Sequence, residues 1–190
     1  MGNQIVNQLP DYVTIGSNTY AADLAFSRWG KETISIGKYC SISQQVKFLA
    51  GGNHRTDCVS TYPFDTIITG TARAAVEDRS YAPDQTGIKI GNDVWVGFGA
   101  SFIGSCEVGD GAVISAGAVV FSGIPAYAIA VGNPARVMKY RFSDHIIHML
   151  LEIKWWDWSD ELVKERIDEF YSETIVFCNR YAPAHTEVLV

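Results

Sequence analysis

The chain has 190 residues, 47% of them hydrophobic, which suits one domain with a sizeable core. Its net charge of −6 argues against a general nucleic-acid-binding surface, so a polyanionic ligand would need a local basic cluster. No apolar run reaches the length of a transmembrane helix, and the start "MGNQIVNQLPDYV" lacks the segments of a secretory signal. The four cysteines stand singly at 40, 58, 106 and 178, which disfavours a disulfide framework and predicts a cytoplasmic protein.

After an N-terminal lead, residues 1–14, the chain repeats every six residues. Each unit begins with an apolar residue, usually a large one, and has a compact residue four places later. Val96 and Ala100 are one such pair. A period of six fits neither a helix nor an alternating strand, but it fits a chain that turns a corner every six residues and closes a three-sided coil every 18. The positions that carry the repeat are Ile15, Ala21, Ile36, Ile42, Phe48, Ile90, Val96, Phe102, Val108, Ile114 and Val120.

The coils are expected over about 15–54 and 88–130, with parallel strands along the flat sides and apolar side chains along the axis. A β-sandwich with short strands is the alternative, although it has no reason to keep a six-residue phase. Cys40 and Cys106 occupy interior positions of the repeat, which indicates packing rather than chemistry.

Two stretches break the phase and are predicted as loops, one at about 22–33 and one at about 55–87. Long loops in a regular solenoid are usually functional. The coils with their loops are expected to form one domain over 1–142. A helical extension is expected to follow over 143–190. Ser143 and Ser159 are its predicted N-caps, and Leu162, Ile167 and Phe170 form a candidate buried stripe on the second helix. "WWDW" at 155–158 is interpreted as core, and the tail from 175 carries no clear signal.

Five motifs occur in order: "ISIGKYCSIS", "GGNHRTDCVSTYPF", "IGNDVWVG", "VGNPA" and "IKWWDW". Together they resemble the xenobiotic acetyltransferase (CatB-related O-acetyltransferase) family of the hexapeptide acyltransferases, over roughly residues 10–160. The resemblance implies a left-handed parallel β-helix that forms a homotrimer with active sites between subunits. It also implies transfer of acetyl from acetyl-CoA to a hydroxyl of a drug or sugar, without a metal.

His54 is the candidate catalytic residue. Acyl transfer to an alcohol needs a base, and an imidazole takes a proton near neutral pH. From position alone, a capping or hydrogen-bonded histidine at a loop root is the favoured interpretation. The resemblance identifies the "NH" histidine as the general base, which implies direct transfer without an acyl-enzyme. Asn53 is expected to hold the turn.

Further site residues fall into three groups. Trp95 should point outward and, with the small Ser115, Ala116 and Gly117, is predicted to line the acyl and pantetheine site, although trimer packing is an equal alternative. The nucleotide end of CoA is assigned to the basic, glycine-containing stretch after the coil, and acceptor binding to the two loops. The nucleotide-end residues are Gly132, Asn133, Arg136 and Lys139, with Arg141 nearby; the acceptor-binding residues are Tyr20, Asp23, Tyr62 and Phe64, with Trp29 as a further candidate.

The first loop reads "TYAADLAF" where drug-modifying members of the family carry a tyrosine-rich stretch. This difference favours a sugar or polysaccharide-precursor hydroxyl as the acceptor, with an antibiotic of the chloramphenicol or streptogramin type as the alternative. Two other classes share the fold. A γ-type carbonic anhydrase needs three zinc-binding histidines, whereas His54 stands alone among the coils. A non-catalytic trimeric scaffold would have no need of His54, Trp95 and the basic stretch.

Overall fold

A computed structural model describes residues 9–52, 54, 56–70 and 87–183. The first two coils contribute β1 (Val13–Ile15), β2 (Tyr20–Ala21), β3 (Ala25–Arg28), β4 (Thr33–Ile36), β5 (Ser41–Ile42) and β6 (Lys47–Ala50). The next two contribute β7 (Gly87–Ile90), β8 (Trp95–Val96), β9 (Ser101–Ile103), β10 (Cys106–Val108), β11 (Val113–Ile114) and β12 (Val119–Val120). A fifth, partial coil adds β13 (Ala128–Val131), and β14 (Arg136–Tyr140) runs back along it.

The strands form the three sides of a prism, the left-handed parallel β-helix that the sequence predicts. Sheet 1 contains β1, β4, β7 and β10, sheet 2 contains β2, β5, β8, β11, β13 and β14, and sheet 3 contains β3, β6, β9 and β12. All pairs are parallel except β13 with β14. The repeat positions stack in register, for example Ile36 on Ile90 and Val96 on Ile114, and their side chains fill the axis.

Glycines at the corners let the coils stack closely. A Cβ on Gly37 would lie 2.4 Å from the carbonyl oxygen of Gly91 in the next coil, which no side chain tolerates. Gly87, where the chain rejoins the prism, combines a φ of 92° with a Cβ position only 1.9 Å from the oxygen of Thr33. Cys40 and Cys106 are buried in the interior, as predicted.

The predicted loop at 22–33 is wrong in its extent, because β3 lies inside it and pairs with β6. Phe26 takes the interior position on sheet 3 but comes five residues after Ala21, so the six-residue phase hides it. The second excursion starts earlier than expected, since β6 ends at Ala50. Its described part includes one π-helical turn, Asp65–Thr69.

The helical extension consists of α1 (Asp144–Ile153), a 3₁₀ turn (Trp155–Asp157), α2 (Asp160–Glu165), a second 3₁₀ turn (Ile167–Tyr171) and α3 (Thr174–Tyr181). It packs around a second apolar cluster of Tyr127, Met149, Leu150, Ile153, Phe177 and Cys178. Trp155 and Trp158 of "WWDW" pack against this cluster, and Trp156 is buried beside Trp155, in agreement with the prediction of a core segment. Among the described residues, no helix combines the length and the apolar character that a membrane crossing requires.

Three details of the extension differ from the sequence predictions. Ser159 caps α2 by accepting the N–H of Leu162 at 3.2 Å, but the Ser143 side chain makes no capping bond. The long second helix divides into α2 and a 3₁₀ turn, so Ile167 is exposed and does not join a buried stripe. The tail contains α3, whose Phe177 and Cys178 are buried against the extension.

Candidate active site

His54 lies where the chain leaves the prism. Gly51 and Gly52 both have φ near 80°, a conformation that turns the backbone away from β6 and that residues with a Cβ rarely adopt. The exposed His54 ring places Nδ1 2.8 Å from the carbonyl oxygen of Thr61. A carbonyl oxygen can only accept, so Nδ1 carries the proton and Nε2 of the neutral ring keeps its lone pair. Asn53 lies outside the described residues.

The predicted acceptor residues Tyr62 and Phe64 follow directly after Thr61. Their rings meet edge to face with centroids 4.8 Å apart, and both are about half exposed. The exposed Trp29 stands on the same side of the prism, because its Cε3 would lie 3.9 Å from a Cβ on Gly52. An aromatic surface therefore surrounds the root of the loop that carries His54.

A second set of predicted site residues lies in one straight row across the outside of sheet 2. Tyr20 pairs with Ser41, Ser41 with Trp95, and Trp95 with Val113. The row continues through Ile129 to Lys139 on β14. Tyr20 and Trp95 are 58% and 59% exposed, so the phenol and the indole both face outward, as the repeat predicts for Trp95. With strands about 4.8 Å apart, Trp95 and Lys139 are about 14 Å from one another.

The small residues Ser115, Ala116 and Gly117 form the next corner beside this row. Ser115 donates its N–H to Ala130, and Gly117 donates to Phe98 of the coil before. Ala116 and Gly117 are exposed, so a narrow chain can approach the backbone closely at this corner. Asp23, exposed and with a φ of 55°, lies at the equivalent corner of the first coil.

The predicted nucleotide end follows β13. Gly132 accepts the N–H of Val119, and the peptide bond between Asn133 and Pro134 is cis. Arg136 and Lys139 are exposed on β14, with one Arg136 nitrogen donating to the oxygen of Ala135. These two cations and the corner of small residues thus lie on the same side of the prism as Trp95.

The Arg141 side chain differs from those of Arg136 and Lys139 because it forms an ion pair and a hydrogen bond with the coils of its own chain. Its Nη1 donates to the oxygen of Gly111 at 2.7 Å and lies 3.3 Å from Oδ2 of Asp93. Burial raises the pKa of Asp93 above its ordinary value, and the nearby Arg141 guanidinium only partly opposes this shift. The guanidinium also lies over the rings of Tyr127 and Phe142. Arg141 therefore ties the extension to the prism.

The two sets do not meet within one chain. The chain visits sheets 1, 2 and 3 in turn, and the loop with His54 leaves at the corner between sheets 3 and 1. In a three-sided prism that corner lies opposite sheet 2, which carries Tyr20, Trp95 and Lys139. His54, Tyr62 and Phe64 form one half of the candidate site, and the residues on sheet 2 form the other.

Sequence reasoning missed Glu32, which is only 5% exposed beneath this loop root. Its Oε2 accepts the N–H of Gly30 at 2.8 Å. The available signal was the broken phase, since Phe26 and Ile36 are ten residues apart where Phe102 and Val108 are six. Within the described residues, no three His, Cys, Asp or Glu side chains gather in a way that could hold a metal ion, and His185 lies outside those residues.

Comparison with known proteins matches residues 87–122 to the family described as bacterial transferase hexapeptide (six repeats). A "probable macrolide acetyltransferase" of Lysinibacillus sphaericus is 38% identical over 145 residues, which cover 75% of this chain and 79% of the relative. A chloramphenicol acetyltransferase of Klebsiella aerogenes is 37% identical over 152 residues, 79% of this chain and 71% of its own. A virginiamycin A acetyltransferase of Staphylococcus aureus is 36% identical over 137 residues, 72% and 62% of the two chains.

Among solved structures, a hexapeptide-repeat-containing acetyltransferase of Vibrio cholerae, complexed with acetyl coenzyme A, matches with a TM-score of 0.51. It shares 21% identity over 70% of this chain and 62% of its own. At that identity the match shows a common fold.

Proposed function

Because the chain belongs to the CatB-related xenobiotic acetyltransferase family, we propose that it moves acetyl from acetyl-CoA to a hydroxyl group, with His54 as general base in a site shared by two subunits of a homotrimer. Membership of the family makes the chain an acetyltransferase. The base and the assembly are inferred from the family motif and the geometry of the described residues, and the acceptor from the relatives and the sequence of the first loop.

The bond between His54 and Thr61 carries the assignment of the base. Because Nδ1 donates to the carbonyl oxygen of Thr61, the ring is oriented and its tautomer is fixed with Nε2 unprotonated. A neutral imidazole with a free Nε2 on an exposed loop is the arrangement that proton removal from an incoming alcohol requires.

In the proposed reaction, Nε2 takes the proton of the acceptor hydroxyl as its oxygen attacks the thioester carbonyl. The tetrahedral intermediate then collapses, the C–S bond breaks, and the CoA sulfur leaves with the proton that His54 holds. The products are the O-acetyl ester and CoA with a free thiol, and no acyl-enzyme forms. Bringing alcohol, imidazole and thioester together supplies much of the rate enhancement in such a reaction.

Two observations support placement of acetyl-CoA against sheet 2. Ala116 and Gly117 leave the backbone of one corner open to a narrow pantetheine arm, and Trp95 lies beside them. Farther along the same side, the exposed Arg136 and Lys139 offer positive charge to the phosphates in an otherwise acidic chain. Neither feature is on the side of His54, so a complete site requires a second subunit.

We propose a homotrimer because this separation calls for more than one subunit and a closed ring of three repeats one contact around an axis. Three prisms arranged about a threefold axis place the corner with His54 of one subunit against sheet 2 of the next, and closed cyclic symmetry repeats the contact three times. The exposed Trp95 and Phe98 are apolar residues that such a contact would cover. The loop aromatics Tyr62 and Phe64 would then face Tyr20 of the neighbouring subunit across the acceptor.

The acceptor is proposed to be a hydroxyl-bearing antibiotic or a sugar. The relatives, named as macrolide, chloramphenicol and virginiamycin A acetyltransferases, favour an antibiotic of one of these types. The stretch "TYAADLAF" still favours a sugar hydroxyl, but less strongly, because most of it forms β2 and β3 rather than a free loop. Antibiotics therefore come first in an acceptor panel and sugars second.

The proposed function is tested by thiol release from acetyl-CoA with that panel, using wild type and His54→Ala. Removal of the base should lower kcat by about 10²–10⁴-fold, the range of general-base contributions. His145→Ala, at an exposed histidine of α1, is the matched control and should keep wild-type turnover. Unchanged turnover in His54→Ala would refute the role of this residue, and a wild type inactive with every acceptor would favour the scaffold.

A further inference from the structure

Glu32 is a buried acidic residue at an unusual corner of the prism. Among the charged residues that the structure describes, it alone is buried, with 5% of its surface exposed. It lies where the first coil passes from sheet 3 to sheet 1, in the segment that lengthens the usual six-residue step to ten. A buried carboxylate is costly unless hydrogen bonds compensate, so the core alone gives no reason for an acid here.

The contacts of Glu32 explain its location. One carboxylate oxygen, Oε2, accepts the N–H of Gly30 at 2.8 Å. The other faces Gly51 of the next coil so closely that a Cβ there would lie 2.8 Å from Oε1. The carboxylate therefore fills the space between the extended corner and Gly51.

Gly51 begins the departure of the catalytic loop. It and Gly52 are both in the left-handed region, and His54 follows two residues later. Glycine is the most permissive residue for the backbone, so two in succession leave the direction of the loop to its surroundings. The carboxylate of Glu32 on one side and the ring of Trp29 beside Gly52 supply that constraint.

We propose that Glu32 is a positioning residue for His54: its carboxylate supports Gly51 from below and fixes the direction in which the catalytic loop leaves the prism. It touches Gly30 and Gly51 and acts on the reaction only through the backbone. The role rests on the proposed function of His54. A misplacement of about 1 Å at a reacting group can reduce turnover about 10²-fold. A residue that does not touch the substrate can therefore affect kcat by setting the position of His54.

The test compares Glu32→Ala with Asp110→Ala. Asp110 is a matched control because it is also an acidic residue at a coil corner: its Oδ1 accepts the N–H of Asn92 from the preceding coil at 2.7 Å, at the corner between sheets 1 and 2. We expect Glu32→Ala to lower kcat by about 10–10²-fold with the KM for acetyl-CoA within about twofold. Asp110→Ala should keep kcat within about threefold, although both variants lose thermal stability.

A second readout is independent of turnover. In ¹⁵N spectra of the four histidines, assigned with His54→Ala, wild-type His54 should show the Nδ1–H tautomer. Glu32→Ala should show a mixture of tautomers, and Asp110→Ala the wild-type signal. If Glu32→Ala does not assemble, Glu32→Asp, one methylene too short to reach both glycines, should still lower kcat about threefold or more.

If the Glu32 variants keep the wild-type kcat and the wild-type His54 tautomer while His54→Ala is inactive, the positioning role is wrong and the proposed function stands. An active His54→Ala refutes the proposed function, and the tautomer spectrum still decides whether Glu32 orients the ring.

Discussion

The rings of Phe48 and Phe102 stack inside the prism with centroids 5.0 Å apart and their planes only 6° from parallel. Phe26 extends the stack on the other side of Phe48, at 5.3 Å. The three rings occupy equivalent positions on β3, β6 and β9, so one aromatic column joins three successive coils. Phe48 and Phe102 are fully buried. The column is therefore a central element of the core.

Truncation of the column should be severely destabilising. Phe102→Ala removes a buried ring and leaves a cavity between two coils, which should lower the free energy of unfolding by about 3–5 kcal/mol. Tyr171→Ala, at a ring that is 86% exposed, should change it by less than about 0.5 kcal/mol. Urea unfolding at one fixed protein concentration measures both. A small loss in Phe102→Ala would mean that the interior repacks around the missing ring.

The stacked core could be read from the sequence, because its positions repeat in a fixed phase. Ile36, Ile42 and Phe48 are separated by six residues, and each stacks on the residue of the third coil that the phase predicts. The repeat fails at β3, where Phe26 comes five residues after Ala21. The six-residue phase holds only where each corner has its usual length. The shorter corner before β3 shifts the phase, so the sequence pattern does not reveal β3 although it pairs regularly with β6.

Half of the candidate site could be predicted and half could not. An exposed Trp95 follows from its place in the repeat, and His54 follows from its motif. That these residues lie on opposite sides of one prism is given by neither motif alone, because it depends on the strand pairing that puts the loop exit at the corner opposite sheet 2. Glu32 escapes for a related reason: its burial depends on Gly51, 19 positions away in sequence and in the next coil.

Asp93 and Asp160 should give opposite dependences of stability on pH. Burial raises the pKa of Asp93 above its ordinary 3.8, so the folded state holds this proton more tightly than the unfolded state. The contribution of Asp93 to the stability of the folded state is fully present below pH 3.8 and is lost as the pH rises through the folded pKa. Hydrogen bonds from Asn18 and Tyr39 lower the pKa of Asp160, whose contribution is present above 3.8 and lost as pH falls.

The isosteric substitutions Asp93→Asn and Asp160→Asn remove each titration separately. As pH rises from below 3.8, Asp93→Asn should gain stability relative to wild type until the native carboxyl is ionised. Asp160→Asn should lose relative stability as pH rises through the folded pKa of Asp160 towards 3.8. Urea unfolding across this range measures both differences. Slopes of the same sign would contradict the environments described for these two carboxyls.

The four cysteines should separate into one reactive and three protected thiols. Cys58 is exposed, whereas Cys40, Cys106 and Cys178 are buried. Burial raises the pKa of Cys40 to about 11 and that of Cys106 to about 12, and it also raises the pKa of Cys178. The thiolate is the reacting form. A disulfide reagent at pH 8 should therefore modify Cys58 rapidly, and Cys58→Ser should abolish this rapid phase. All four thiols should react in denaturant. A second fast thiol in the native protein would show that a coil or the helical extension opens.

Mixed trimers test whether two subunits share a site. The corner with His54 lies opposite sheet 2 with Trp95, so a site that needs both side chains takes one from each of two subunits. His54→Ala and Trp95→Ala should each be nearly inactive alone. In randomly mixed trimers, about a quarter of the interfaces combine an intact His54 with an intact Trp95 from the next subunit, so co-expression of the two variants should restore about a quarter of wild-type turnover.

The chain with both substitutions, co-expressed with His54→Ala, is the control and should stay inactive, because no His54 remains. If each site were built within one chain, every mixed trimer would contain only defective sites, and activity would stay at the level of the single variants.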